Sequence, residues 1–271
     1  MKVAVLMGSP RKKDSFHICT EIEKQIKSNV DTVEFDYIFL KDHMVKDCKG
    51  CCICFQKSEN DCPCRGDDVN SIKERLISAD ALIIASPVYA YQVTGQLKRF
   101  IDRTSYLFHR PELVGKPVII VVTTDGSGSK QVFDYLKMTA SGWGLDLVGD
   151  LQIVSPWYFD NREPQGAFNY NPDYFEKNHK KLVSVSTRLL EQLNSPQKRT
   201  PSFYDIFMFN CLRSKTYTSR ADYAYWDQKG WMTMDYFYDV PLNPVKRFFG
   251  IIMKGIIHRM AMSYLSGEKS A

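Results

Sequence analysis

Alternating strand-like and helix-like segments over residues 1–194 predict an α/β fold, a parallel sheet covered by helices on both sides. Three observations carry that expectation. Apolar runs at residues 3–7, 81–85 and 118–122 are uninterrupted, as in strands buried on both faces. The stretches between the runs place apolar residues at helical spacing. The first run passes at once into a glycine turn and then a helix, as at the ligand-binding edge of a doubly wound sheet.

The elements follow in order. Residues 15–26 read as a helix, with Phe16, Cys19, Ile22, Glu23 and Ile26 close together on a wheel. Residues 33–40 read as the second strand. Asp67 and Asp68 stand where their carboxylates can cap a helix over about residues 69–77. The third strand, 81–85, is broken by Ser86-Pro87, and a helix spans 94–106 with Leu97, Phe100, Ile101 and Tyr106 as anchors. The fourth strand leads into Thr123-Thr124-Asp125-Gly126-Ser127-Gly128. A helix over about 130–141, a strand near 145–153 and a helix over about 172–193 complete the alternation.

Composition bounds the function. At 44% hydrophobic and 25% charged residues the chain is globular rather than disordered. A net charge of +5 suits anionic small molecules or an anionic membrane face, and is too small to argue for nucleic acid. The apolar start is too short for a secretory signal and lacks a small-residue cleavage site. No run reaches the ~18 apolar residues of a membrane span. The expectation is a cytoplasmic protein, where dense cysteines favour metal over disulfides.

Composition changes near Asn194-Ser195-Pro196, so residues 1–194 are read as one domain and 195–271 as a C-terminal extension. The extension is crowded with aromatics, including Tyr223, Tyr225, Trp226, Trp231, Tyr236, Phe237 and Tyr238. Pro241 and Pro244 then precede a basic helix with Val245, Phe248, Phe249, Ile252, Ile256 and Met260 at amphipathic spacing. Packing on the sheet domain or on a partner subunit is the first reading of this tail. Peripheral contact with an anionic membrane through Lys246, Arg247, Lys254 and Arg259 is the second. Aromatics covering a cofactor are a third.

Six of the eight cysteines fall between Cys48 and Cys64. Cys48, Cys51 and Cys54 give three thiolates on a short loop, and Cys62 or Cys64 brings a fourth. That spacing suits an iron–sulfur cube, and Cys62 is preferred on its distance from Cys54. Cys52 is the spare thiol. Zinc on the same thiolates, or thiols without metal, are the other readings. Cys19 and Cys211 sit singly on apolar stretches and read as structural. The five histidines form no pair at metal-binding spacing, Asp102 and Arg103 read as a local ion pair, and Gly-x-Ser-x-Gly is absent.

Gly8-Ser9-Pro10-Arg11-Lys12-Lys13-Asp14-Ser15 is the candidate phosphate turn. Amides at the helix start, the hydroxyls of Ser9 and Ser15, and Arg11 suit a phosphate. The turn is neither a nucleoside-triphosphate loop nor a dinucleotide fingerprint. A monophosphate such as that of FMN fits it. Ser86-Pro87-Val88-Tyr89-Ala90-Tyr91 and Thr123-Thr124-Asp125-Gly126 leave the same sheet edge, with flat tyrosine faces for a flavin ring.

Residues 3–11, Asp67-Asp68, the span from Ala79-Asp80 to Ser86-Pro87-Val88-Tyr89, and Gly95 through Arg103 resemble the flavodoxin-like NAD(P)H-dependent FMN reductase family. With Cys48, Cys51, Cys54 and Cys62 added, the chain resembles that family's iron–sulfur flavoprotein branch. The resemblance implies a flavodoxin-like three-layer sandwich with a five-stranded sheet in the order 2-1-3-4-5. It implies FMN at Ser9, Arg11, Ser15, Phe16, Pro87, Val88, Tyr89, Ala90, Thr124, Asp125 and Gly126, and a 4Fe–4S cluster on the four cysteines. Further implications are NAD(P)H as electron donor, a small-molecule acceptor, and a dimer. The alternative is an electron carrier reduced by ferredoxin. Two departures stand out: Ser15 and Phe16 replace the family's usual Asn-Thr, and Tyr91 replaces a small residue.

Overall fold

The computed structural model describes residues 1–154, 172–195 and 198–266. Strand β1 (Lys2–Met7) is followed by α1 (Asp14–Lys27), β2 (Glu34–Phe39), the short α2 (Ile53–Gln56) and α3 (Val69–Ser78). Next come β3 (Ala81–Pro87), α4 (Gly95–Arg103), β4 (Pro117–Thr124), α5 (Ser129–Gly142), β5 (Asp146–Val154) and α6 (Pro172–Asn194). Helices α7 (Phe203–Arg213), α8 (Arg220–Gln228) and α9 (Pro244–Ser266) form the C-terminal part.

The five strands form one parallel sheet in the order β2-β1-β3-β4-β5. Because successive side chains point to opposite faces, β1 feeds two cores. Ala4 and Leu6 join a cluster with Ile72, Leu97, Phe100 and Trp143 under α3, α4 and α5. Val3, Val5 and Met7 join Ile22, Ile26, Val185 and Leu189 under α1 and α6. That double burial is why the central strands read as unbroken apolar runs.

Three local expectations are corrected. Strand β3 does not break at Ser86-Pro87 but runs through Pro87, which pairs with Thr123 of β4. Strand β1 ends opposite Ala85, so the missing proline N–H faces a side where no neighbour remains. The predicted helix over 94–106 ends at Arg103, and a 3-10 turn follows at Ser105–Phe108. Asp67 and Asp68 do not cap α3, for the Asp68 side chain makes no capping bond. Asp68 accepts instead from the Met44 amide (2.7 Å) and Asp67 from the Lys46 amide (3.0 Å), tying down the incoming edge of the cysteine loop.

The tail aromatics form a third buried cluster. Phe209, Trp226, Trp231, Tyr236 and Phe237 pack together and reach Phe108 and Val114, which lie between α4 and β4. Helix α9 lays Phe249 edge-on against Phe203 at 5.2 Å, while Val245, Phe248 and Ile251 stay exposed. Among the described residues no helix is long and apolar enough to cross a membrane.

At the β2 edge, Arg75 makes a two-pronged contact with Asp36, and Lys2 adds a second cation at 3.1 Å. The hydrogen bond from Arg75 holds the Asp36 carboxyl below its ordinary value, against an opposing effect of burial. A depressed folded-state value contributes stability above the unfolded pKa of about 3.9, lost as pH falls through the folded value. Asp36→Asn is expected to cost about 0.5–1 kcal/mol at neutral pH and to flatten the stability curve below about pH 4. Urea titrations at pH 7 and pH 3 check this; an equal loss at both would contradict it.

Candidate functional site

The turns leaving β1, β3 and β4 lie side by side, because these strands are neighbours and their ends are in register. Met7 stands opposite Ala85, and Pro87 opposite Thr123. Arg11, Tyr89, Ala90, Asp125 and Gly126 are exposed at this edge, whereas Ser9 and Thr124 are buried beneath it.

The turns are cross-linked. The Gly8 amide donates to Ala85 O at 2.8 Å. Its carbonyl accepts from Thr94 Oγ1 at 2.7 Å and from Gln96 Nε2 at 2.6 Å. Thr94 is also the N-cap of α4, so the start of that helix holds the turn after β1 directly. The Val88 amide donates to Thr123 O at 2.8 Å. Ser127 Oγ donates to the Tyr91 hydroxyl at 3.1 Å, joining the second and third turns. Gly128, at φ +86°, lets them close: a Cβ there would lie 2.8 Å from Val88 Cγ1.

Individual residues behave differently from one another. Ser15 is 2% exposed and its hydroxyl bonds that of Thr123 at 2.7 Å, so it links the first turn to the fourth strand. Phe16 packs edge-on to Tyr37 and against Phe39, with the Lys12 ammonium 5.0 Å from the Phe39 ring. Ser9 Oγ donates to Arg11 O at 2.8 Å, bending the turn so that Arg11 projects outward. The first-turn amides of α1 and Arg11 together are a donor set suited to a phosphate.

The thiol loop encloses a cavity of about 600 Å³ lined by Cys48, Cys51, Cys52, Cys54, Cys62 and Cys64. Its thiol chemistry fits a metal–sulfur group. Among the described residues, no three His, Cys, Asp or Glu side chains gather about one ion position. Zinc would need its sulfurs all about 2.3 Å from one point, so a single-ion site is not preassembled. Cys52 adopts φ 58° and is exposed. Cys64 is buried, with its thiol directed to Asp47 O at 3.4 Å.

Burial, with Cys48, Cys62 and Cys51 adding to it, pushes the Cys54 thiol up to about 11. Only the thiolate attacks an alkylating agent. In metal-free protein at pH 8, Cys54 is expected to react more slowly than the exposed Cys48, Cys51 and Cys52. Peptide mapping after timed iodoacetamide exposure reads this directly, and equal rates would refute it.

Two buried arginines support the loop, and sequence reasoning missed both. Arg103 pairs with Asp67, not with the adjacent Asp102, which pairs with Lys98. Arg110 contacts the carbonyl of Cys54, Glu59 at 3.0 Å and the fully buried Asp222 of α8. His109, one of the five histidines with no partner at metal-binding spacing, bonds the same Asp222 at 2.6 Å. Ser219, the N-cap of α8, donates to Phe55 O at 2.7 Å. Thr94, three residues before Leu97, carried a capping signal. No local signal marks Asp222 as a partner of Arg110.

A parallel sheet in the order β2-β1-β3-β4-β5, with helices on both faces and three interlocked turns at one edge, defines the flavodoxin-like class. Comparison places it within that class: the NADPH-dependent FMN reductase family matches residues 1–159, and the chain belongs to that family of NAD(P)H-dependent flavin oxidoreductases. An iron-sulfur flavoprotein of Archaeoglobus fulgidus is 28% identical over 239 residues, covering 86% of this chain and all of that one. Another from Methanocaldococcus jannaschii is 33% identical over 131 residues, 46% of this chain and 65% of the relative. Among solved structures, RosB with a bound 8-demethyl-8-formylriboflavin-5′-phosphate intermediate aligns at TM-score 0.53 and 13% identity. That alignment covers 90% of this chain and 92% of RosB. At that identity the likeness speaks to fold alone.

Proposed function

We propose that this chain is an FMN-dependent oxidoreductase that takes electrons from NAD(P)H and passes them to a small acceptor or through an iron–sulfur cluster. The observation that carries the reading is the cross-linked trio of turns at the ends of β1, β3 and β4. Preorganised donors of this kind hold a cofactor without reorganising when it binds. Ser9, Arg11, Ser15 and Phe16 with the α1 amides form the phosphate end. Pro87, Val88, Tyr89 and Ala90 flank one side of the ring, and Thr124, Asp125 and Gly126 the other.

Bound FMN supplies hydride acceptance from the nicotinamide and electron release to the acceptor. Side chains of this site position and screen; none is asked to act as acid or nucleophile. Cys48, Cys51, Cys54 and Cys62 would hold the 4Fe–4S cluster, whose chemistry is single-electron transfer. The cysteine loop is supported for this role by the two arginines and by the names of its relatives. Tyr89 and Tyr91, 41% and 57% exposed at the mouth, suit a homo-oligomer whose partner subunit borders the flavin. The exposed basic helix α9 leaves peripheral contact with an anionic membrane as a further role of the extension.

A second reading is an electron carrier reduced by ferredoxin, favoured by the exposure of Cys48, Cys51 and Cys52 to a docking protein. Anaerobically purified protein decides between them. Flavin absorption with iron and sulfide, and rapid oxidation of NADH or NADPH, is the expected result. Reduction by ferredoxin with inert nicotinamides would replace the enzyme by the carrier. Absence of flavin after incubation with FMN would remove both.

A further inference from the structure

Helix α4 spans from the flavin turns to the thiol loop. Its first turn grips Gly8 O through Thr94 and Gln96. Its last residue, Arg103, lines the thiol cavity with a side chain only 5% exposed. Nine residues at about 1.5 Å each make this a rigid rod of roughly 13 Å.

Arg103 is unusually committed to the loop. One terminal nitrogen bonds Asp67 and reaches Lys46 O at 3.3 Å. The other donates to Cys64 O at 2.9 Å and lies 3.8 Å from Cys62 Sγ. The remaining donor, Nε, is buried and has no hydrogen-bond partner among the described residues. A buried N–H left unpaired costs about 1–3 kcal/mol, and such a group asks for an acceptor. Cys62 Sγ already lies within reach of the same guanidinium, and the cavity that Arg103 lines carries the other loop thiols.

The geometry points to Arg103 as the residue that selects Cys62 as the fourth thiolate and donates hydrogen bonds to the sulfurs of the bound centre. This rests on the thiol loop being an iron–sulfur site. Cys64 is the less available thiol, because its sulfur is turned to Asp47 O and its carbonyl is held by the same guanidinium. A cation donating to cluster sulfur stabilises the more negative, reduced state and raises the reduction potential. Arg103 is thus a positioning residue, acting on the centre's potential through the Cys62 sulfur.

The test uses the full chain reconstituted anaerobically with FMN, iron and sulfide. Arg103→Met alone would strand the buried Asp67 carboxylate, so Arg103→Met combined with Asp67→Asn is the informative variant. The cluster potential is read by spectroelectrochemistry, with the flavin couple in the same sample as internal reference. A negative shift of the cluster couple with an unmoved flavin couple is expected. Loss of iron in Cys62→Ser and its retention in Cys64→Ser is the companion result. A cluster couple unmoved in the double variant, or iron kept by Cys62→Ser and lost by Cys64→Ser, would overturn the inference alone. Wild-type chains that take up neither iron nor sulfide would overturn it together with the cluster reading.

Discussion

Asp222→Ala is expected to lower stability by about 3–5 kcal/mol, the cost of stranding a buried cation. The carboxylate is fully buried and receives both Arg110 and His109. Arg110 is itself 5% exposed and bonded to the carbonyl of Cys54, so its loss of partner reaches the thiol loop. Two effects should therefore appear together. The urea midpoint falls, and the cysteine loop becomes cleavable by protease at denaturant concentrations where the sheet still holds. The paired change Arg110→Met with Asp222→Leu removes both charges and should recover part of the stability while leaving the loop loose. A loop as resistant in Asp222→Ala as in wild type would show that α8 does not support it.

Gly8→Val should act on the other end of the site. A Cβ at position 8 would lie 3.0 Å from the backbone oxygen of Ala85 and 3.0 Å from Leu97 Cδ2. Neither neighbour gives way easily, since one is main chain of β3 and the other a fully buried core residue. The turn after β1 must then lift from α4, breaking the bonds from Thr94 and Gln96 to Gly8 O. Loss of about 1–3 kcal/mol in local packing, if carried into binding, corresponds to FMN held more weakly by roughly 5- to 150-fold. Quenching of flavin fluorescence on titration measures it. An unchanged affinity would mean that this turn does not hold the phosphate.

Much of the fold was legible in order. The central strands bury both faces, so Val3, Ala4, Val5, Leu6 and Met7 form an apolar run that no surface element would tolerate. Helix α1 showed its inward face through Cys19, Ile22 and Ile26, all buried as the wheel implied. The three turns were recognisable because each follows a buried strand. The cysteine spacing was visible because the six thiols lie within one short stretch of chain.

Partner choice among charges was not legible. Arg103 lies beside Asp102 in the chain, yet α4 directs Arg103 into the loop and leaves Asp102 to Lys98 one turn away. Asp67 and Asp68 looked like helix caps because their position allowed it. Their carboxylates were instead taken by amides of Met44 and Lys46, more than 20 residues earlier.

Read alone, the chain determined its alternation of buried strands and covering helices and the edge where its turns gather, because burial periodicity and turn chemistry are written in neighbouring residues. The sheet order came only from the family resemblance. Only the tertiary structure decided that α4 bridges the turn after β1 and the thiol loop, and that α8 carries the acid paired with Arg110 beneath that loop. An ion pair such as Arg110 with Asp222 joins residues 112 apart. Its strength comes from burial, and burial exists only once the sheet, the loop and the extension have closed around it.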